Sequence, residues 1–217
     1  MNSGQQKMTC EERFEMFHVA IDLMVLKFLK TICRINKNFY STASINFTNK
    51  LIIMASTDNL FIKMVLDNWS TYVKRTSDLF NELSDEQLHA QVAPGRNRGV
   101  YLLGHLTSVH DRMLPLLGFE KQRFPELEET FLTNPDDASA KMPPLNELRD
   151  RWKEVNEILW RHFQKVKPDE WFQKHNAVSE TDFQKEPHRN KLNVLINRAG
   201  HLASHYGQLL FLKRKEG

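Results

Sequence analysis

The chain has 217 residues, of which 41% are hydrophobic and 26% are charged. This length allows one globular domain with a sizeable core, and these fractions are ordinary for a soluble protein. The formal net charge of +3 is too small to predict nucleic-acid binding. With only 8 glycines and 8 prolines, and with apolar residues on a helical period, the sequence predicts an all-α protein.

The composition of the chain changes near Met54. Residues 1–53 carry the whole net charge and both cysteines, and they contain no tryptophan or proline. We therefore predict an N-terminal extension over residues 1–53 and a helical domain over residues 54–217. Two interpretations of the extension stay open: a weakly ordered amphipathic helix over residues 11–35 followed by a polar tail, or translation upstream of a natural start at Met54.

The sequence gives no sign of a membrane span or a cleaved leader. The most apolar part of the N-terminal region, residues 14–35, is interrupted by five charged residues. Two cysteines in such a context are expected to be reduced thiols rather than a disulfide. These features favour a cytoplasmic protein with no membrane partner.

Apolar residues recur at three- and four-residue steps in four later segments, which predicts four amphipathic helices. Their ranges are 59–83, 99–114, 145–166 and 191–212. Asp58 is a candidate N-cap for the first helix, and the Ser84–Gln87 segment has the form of a capping box. Pro115 and Gly118 are expected to end the second helix. Two connections, residues 119–144 and 169–188, are predicted to be irregular.

The last predicted helix is almost uncharged. Arg198 is its only charged residue between Leu192 and Leu212. Because a surface helix normally shows a charged face, this predicts a mostly buried helix. Small residues at Gly200, Ser204 and Gly207 would allow another helix to approach closely.

Two histidines of this helix, His201 and His205, are four residues apart and therefore share one face. Imidazoles at this spacing can converge on one metal ion, and the alternative is a pair of partly exposed polar residues. A third histidine, His105, follows Gly104 in the second predicted helix. Taken alone, a histidine in this setting is more often a hydrogen-bonded core residue than a metal ligand. His110 lies about 140° further round that helix and is expected to be structural or exposed.

Three neighbouring polar residues have open roles. We expect Asp111 and Arg112 to be surface charges, although Asp111 could also support a metal ligand. Gln208, one turn beyond the histidine pair, would either orient a ligand or bound water or form an interhelical hydrogen bond. The chain has no glycine-rich phosphate loop, no Cys-x-x-Cys pair and no cysteine after Cys33, which excludes a cysteine nucleophile in the helical domain.

The segment from Leu102 to Leu106 and the later His201-x-x-x-His205-x-x-Gln208 motif resemble the DinB/YfiT-like metal-binding four-helix bundle superfamily. The resemblance covers about residues 58–213 and does not extend to the N-terminal region. It implies a four-helix bundle in which His105, His201 and His205 hold a divalent metal ion, with zinc or nickel favoured.

The resemblance also implies the kind of chemistry. Members with known activity are thiol-dependent transferases and isomerases, and others are described as metal-dependent hydrolases. The interpretation we favour is therefore a metal-dependent enzyme that acts on a small molecule by activating a low-molecular-weight thiol or water. The alternative is a non-catalytic metal-binding bundle that serves as a sensor or a dimerisation module, and a homodimer is compatible with either.

Overall fold

The computed structural model describes the backbone of residues 40–213 and the side chains of residues 57–213. The chain divides into two compact units between Thr57 and Asp58, and the following account concerns the second unit. Across residues 40–213 there is no β-strand, which confirms the all-α prediction. The helix predicted over residues 11–35 lies outside the described part of the chain.

Four long helices alternate with short helical pieces. In chain order the elements are α1 (Tyr40–Glu82), α2 (Asp85–His89), α3 (Gly99–Asp111), α4 (Met113–Leu116), a π-helix (Glu129–Thr133), α5 (Leu145–Phe163), a 3-10 helix (Pro168–Phe172), α6 (Glu180–Lys185), α7 (Lys191–Leu209) and a final 3-10 helix (Leu210–Leu212). Helices α1, α3, α5 and α7 correspond to the four that the periodicity predicts.

The start of α1 differs from the prediction. The helix is described from Tyr40 and runs without interruption to Glu82, so Asp58 lies inside it and is not an N-cap. The polar tail expected before Met54 is therefore helical over residues 40–53. The capping box after α1 is confirmed: the Ser84 hydroxyl accepts the Gln87 backbone N–H at 3.2 Å, and the Ser84 N–H donates to Gln87 Oε1 at 2.9 Å.

The second and third predicted helices end earlier than expected. Helix α3 stops at Asp111, and Pro115 lies inside the short α4, in a first turn where its missing N–H is tolerated. Gly118 follows with a φ of 79°, a left-handed conformation that favours glycine. Helix α5 stops at Phe163 rather than at residue 166. The connections predicted to be irregular contain the π-helix, the 3-10 helix over 168–172 and α6.

Side chains from all four long helices meet in two apolar clusters. The first cluster takes residues from each of them, among them Phe80, Leu106, Trp152 and Leu202. The second surrounds Trp69, Phe163, Trp171 and Leu195 and includes residues of the 3-10 helix. Each fully buried aromatic or leucine side chain contributes about 1.5–3 kcal/mol of burial free energy, so these clusters hold α3 and α7 beside each other.

Helix α7 is less buried than its low charge predicts. One side packs in the core through Leu195, Ala199 and Leu202, but Gly200 and Ser204 are exposed. A Cβ placed on Gly200 or Gly207 would meet nothing within 4 Å, so no other helix approaches these glycines within the described part of the chain. The prediction of a mostly buried helix is wrong because small uncharged residues can face water at little cost. No helix in residues 40–213 is both long and apolar enough to cross a membrane.

Candidate metal centre

Three histidines from two helices converge at one point of the bundle. His105 lies on α3, and His201 and His205 lie one turn apart on α7. His201 Nε2 is 3.2 Å from His105 Nε2 and 3.0 Å from His205 Nε2. The possible ligand atoms of all three side chains lie within 4.8 Å of one another. The three rings are half-buried, so the cluster is neither sealed in the core nor fully exposed.

The ring of His105 is oriented by the backbone of the π-helix. Its Nδ1 is 2.9 Å from the carbonyl oxygen of Phe131 and donates a hydrogen bond to it, since a carbonyl can only accept. Gly104 makes this contact possible: a Cβ at that position would lie only 2.3–2.5 Å from the Phe131 ring. Tyr101 stacks against His105, with ring centroids 6.2 Å apart. A π-helix is rare, and such segments occur frequently at functional sites.

The ring of His205 is oriented by Gln208. The distance from His205 Nδ1 to Gln208 Oε1 is 2.8 Å, and the amide oxygen accepts the hydrogen bond. The side chain of Gln208 bonds to an imidazole of its own helix, so the interhelical hydrogen bond expected as its alternative role is not the one observed. Metal-ligating histidines generally donate their second ring N–H in this way, which fixes the tautomer.

These hydrogen bonds decide which ring nitrogens carry lone pairs. In a neutral imidazole whose Nδ1 donates, Nε2 is an acceptor, so both His105 and His205 direct a lone pair towards His201 Nε2. A proton on His201 Nε2 can satisfy only one of them, whereas a cation satisfies all three nitrogens. Two nitrogens bound to one tetrahedral zinc ion at about 2.1 Å lie about 3.4 Å apart, close to the observed separations. The donor set therefore fits a divalent metal ion.

The electrostatics keep the cluster neutral. Burial, together with the neighbouring His205 and His105, lowers the pKa of His201 to about 3. Burial also lowers the pKa of His105 and of His205, although the hydrogen bonds to Phe131 and Gln208 partly oppose this. All three imidazoles are therefore in the neutral form at pH 7, and a neutral imidazole is the form that binds a metal.

The same helices are matched by a known family. A family model described as the DinB superfamily matches residues 70–209, which is more than half of the chain. The chain belongs to the DinB superfamily. A comparison with curated proteins finds no match. The family is metal-binding, and the matched range of this DinB-superfamily chain contains His105, His201 and His205, so the histidine cluster can bind a metal ion.

Two residues that follow His105 on α3 have structural roles in this DinB-superfamily protein. His110 is fully buried, and its Nδ1 donates to Asn156 Oδ1 at 2.8 Å, so it is structural. Asp111 is also fully buried, which contradicts the prediction of a surface charge. Its carboxylate accepts the backbone N–H groups of Arg123 and Phe124 at 2.8 and 2.9 Å and thereby anchors the connection after α4. Arg112 is exposed, as predicted.

A cavity of about 630 Å³ has walls formed in part by α3, the π-helix and α7, the elements that carry or orient the three histidines, although the histidines themselves do not line it. Its wall includes Val109, one turn beyond His105, Leu132, which follows Phe131, and Arg198, three residues before His201. The sequence alone does not indicate Phe131 or Arg198 as residues of the site. The partner of His105 is a backbone carbonyl, which every residue has, so no residue type indicates it. For Arg198, the signal in the sequence is a single charge within an otherwise uncharged helix.

Proposed function

We propose that this protein is a metal-dependent enzyme in which His105, His201 and His205 hold a divalent metal ion that activates a low-molecular-weight thiol, or alternatively water, for attack on a small molecule. The observation that carries the proposal is the convergence of three imidazole Nε2 atoms, two of which, on His105 and His205, direct their lone pairs towards the third because of the hydrogen bonds to Phe131 and Gln208. A bundle without a metal would gain nothing from directing these lone pairs at each other.

We propose zinc or nickel as the ion, from among the metals that imidazole ligands suit. Three neutral imidazoles suit either ion, and a site with three protein ligands keeps a coordination position open for a ligand. A metal ion in this position would supply Lewis-acid chemistry and lower the pKa of a thiol or water that coordinates it. The protein's own part is to hold the imidazoles neutral and oriented, and to offer the neighbouring cavity to a substrate.

A thiol is favoured because it can deliver a nucleophile that the domain lacks. The chain has no cysteine after Cys33, so sulfur chemistry at this site needs a cosubstrate. A cavity of about 630 Å³ has the size of a typical small-molecule pocket and can accept both a small thiol and an electrophile. Water as the nucleophile would give a hydrolase from the same residues.

The alternative function is a metal-binding bundle without turnover. No described residue beside the histidines stands out as a general acid or base, and the exposed face of α7 at Gly200 and Ser204 is open to a second copy of the chain. This alternative needs the same metal site, so it differs from the enzyme in the outcome of a turnover assay and not in metal content.

The test is a turnover screen on the full-length chain loaded with zinc or nickel. A panel of activated esters, epoxides and unsaturated ketones is incubated with and without a small thiol, and the products are measured by mass spectrometry. The enzyme proposal expects a thiol adduct or a hydrolysis product that His205→Ala abolishes and that the exposed control His188→Ala retains. Metal binding without any product across the panel would contradict it and support the non-catalytic alternative.

A further inference from the structure

A half-buried cation with no ion pair among residues 57–213 lines the cavity formed in part by α3, the π-helix and α7. Arg198 is half-buried, and its Nε is inaccessible to solvent and has no hydrogen-bond partner among residues 57–213. The same part of the chain offers the guanidinium no ion pair. An arginine remains charged in proteins, and leaving a buried charged donor unsatisfied costs more than leaving a neutral one. An anionic ligand would supply the missing acceptor for this nitrogen and compensate the charge.

The other polar residues of the cavity are already paired. Arg112 Nε lies 3.3 Å from Glu128 Oε1, and Gln122 donates to the same carboxylate oxygen at 2.7 Å. Asn176 donates to the carbonyl oxygen of Pro115 at 2.8 Å. The charges of Arg112 and Glu128 cancel, so the cavity wall carries one uncompensated positive charge, at Arg198.

The position of Arg198 links this charge to the metal site. Residues three apart on a helix are neighbours, with about 5–6 Å between their Cβ atoms, so Arg198 lies one turn from His201. Its charge acts on His105 and His201, and burial together with Arg112 lowers the pKa of Arg198 itself. A divalent cation at the histidines would be repelled by this guanidinium, and an anion bound between the two would relieve the repulsion.

We propose that Arg198 binds a carboxylate of the substrate or thiol cosubstrate and holds it in the cavity next to the metal ion. A carboxylate is favoured because one uncompensated charge matches a singly charged anion, and because the planar guanidinium can form two parallel hydrogen bonds with it. This inference rests on the proposed function, and it specifies the chemical class of the ligand as a small acid.

The test compares ligands that differ only in charge. Calorimetry on the full-length, zinc-loaded protein measures the affinity for 3-mercaptopropionate and for its uncharged amide, 3-mercaptopropanamide. We expect the acid to bind about 10- to 100-fold more tightly than the amide, the range of a charge-assisted hydrogen-bonded pair. Arg198→Met should remove this preference, Arg198→Lys should keep part of it, and Arg161→Met, a change of an exposed arginine on α5, should keep all of it.

A second arm separates this inference from the metal proposal. Propionate, propanamide and inorganic phosphate are titrated into the metal-free full-length chain and followed by ligand-observed NMR, so that no ligand can bind through the metal. We expect propionate alone to bind, and only when Arg198 is present. Equal affinities of acid and amide, an unchanged preference in Arg198→Met, or tighter binding of phosphate than of propionate would overturn the inference. A chain that binds no zinc but binds propionate through Arg198 would refute the metal proposal alone.

Discussion

Replacing Gly104 with alanine tests how the fold positions His105. The new Cβ would lie 2.3–2.5 Å from three atoms of the Phe131 ring, about 1 Å closer than ordinary contact, and the ring is fully buried. Either Phe131 moves and takes its carbonyl oxygen away from His105 Nδ1, or α3 shifts. Overpacking of this kind costs about 1–3 kcal/mol, and disturbing the hydrogen bond behind a metal-ligating histidine costs about 10- to 100-fold in metal affinity.

The chain supplies a matched control, because a glycine also precedes His201. A Cβ on Gly200 would meet nothing within 4 Å, so Gly200→Ala should gain about 0.5–1 kcal/mol from helix propensity and leave metal affinity unchanged. Urea unfolding of the metal-free chains gives the stabilities, and competition with a chromophoric chelator gives the zinc affinities. Gly104→Ala with Phe131→Leu should recover part of both losses. A Gly104→Ala variant as stable and as zinc-avid as Gly200→Ala would refute the reasoning.

Two further predictions concern the hydrogen bonds around the site. Gln208→Leu leaves His205 Nδ1 without its acceptor and should weaken zinc binding about 10-fold or more in the chelator assay. The control Ser204→Ala, on the same exposed side of α7, should leave the zinc affinity unchanged. Equal zinc affinities of the two variants would contradict the role of Gln208. Burial lowers the pKa of His110 to about 4, whereas the ordinary value is 6.5. On acidification the unfolded chain therefore binds a proton at His110 before the folded chain does, so the free energy of unfolding falls from about pH 6.5 towards pH 4. Between pH 7 and pH 5 in EDTA, the wild type should lose about 2 kcal/mol more unfolding free energy than His110→Gln, and parallel urea-derived curves would contradict this.

The helical layout was largely predictable from the sequence. Apolar periodicity locates α3, α5 and α7 because each helix buries one stripe, and the Ser84 capping box marks a boundary that local chemistry fixes. The start of α1 was not predictable, since Asp58 has the same capping preference whether or not the chain before it is helical. The lack of charge in α7 does not predict its burial correctly, because small uncharged residues such as Gly200 and Ser204 also face water.

The three histidines of the site were predictable from the sequence, but the backbone groups that orient or anchor the residues around them were not. The spacing of His201 and His205 and the resemblance that includes His105 identify the three imidazoles, and the structure brings them together. The Phe131 carbonyl belongs to a π-helix in a proline-containing connection, where neither period nor motif indicates a partner for His105. Buried Asp111 escaped prediction because its partners are backbone N–H groups that every sequence offers equally.

Zinc and nickel stoichiometry is the most direct test of the three-histidine metal site. The full-length wild type, His105→Ala, His201→Ala, His205→Ala and the exposed control His89→Ala are purified, stripped with a chelator, reloaded with one metal at a time and analysed by mass spectrometry of the metal content. Circular dichroism shows whether each variant keeps its helices. The account predicts one metal ion per chain in the wild type and in His89→Ala, and near-zero retention in each of the other three variants. Equal metal content in the wild type and in folded His105→Ala, His201→Ala and His205→Ala would contradict it.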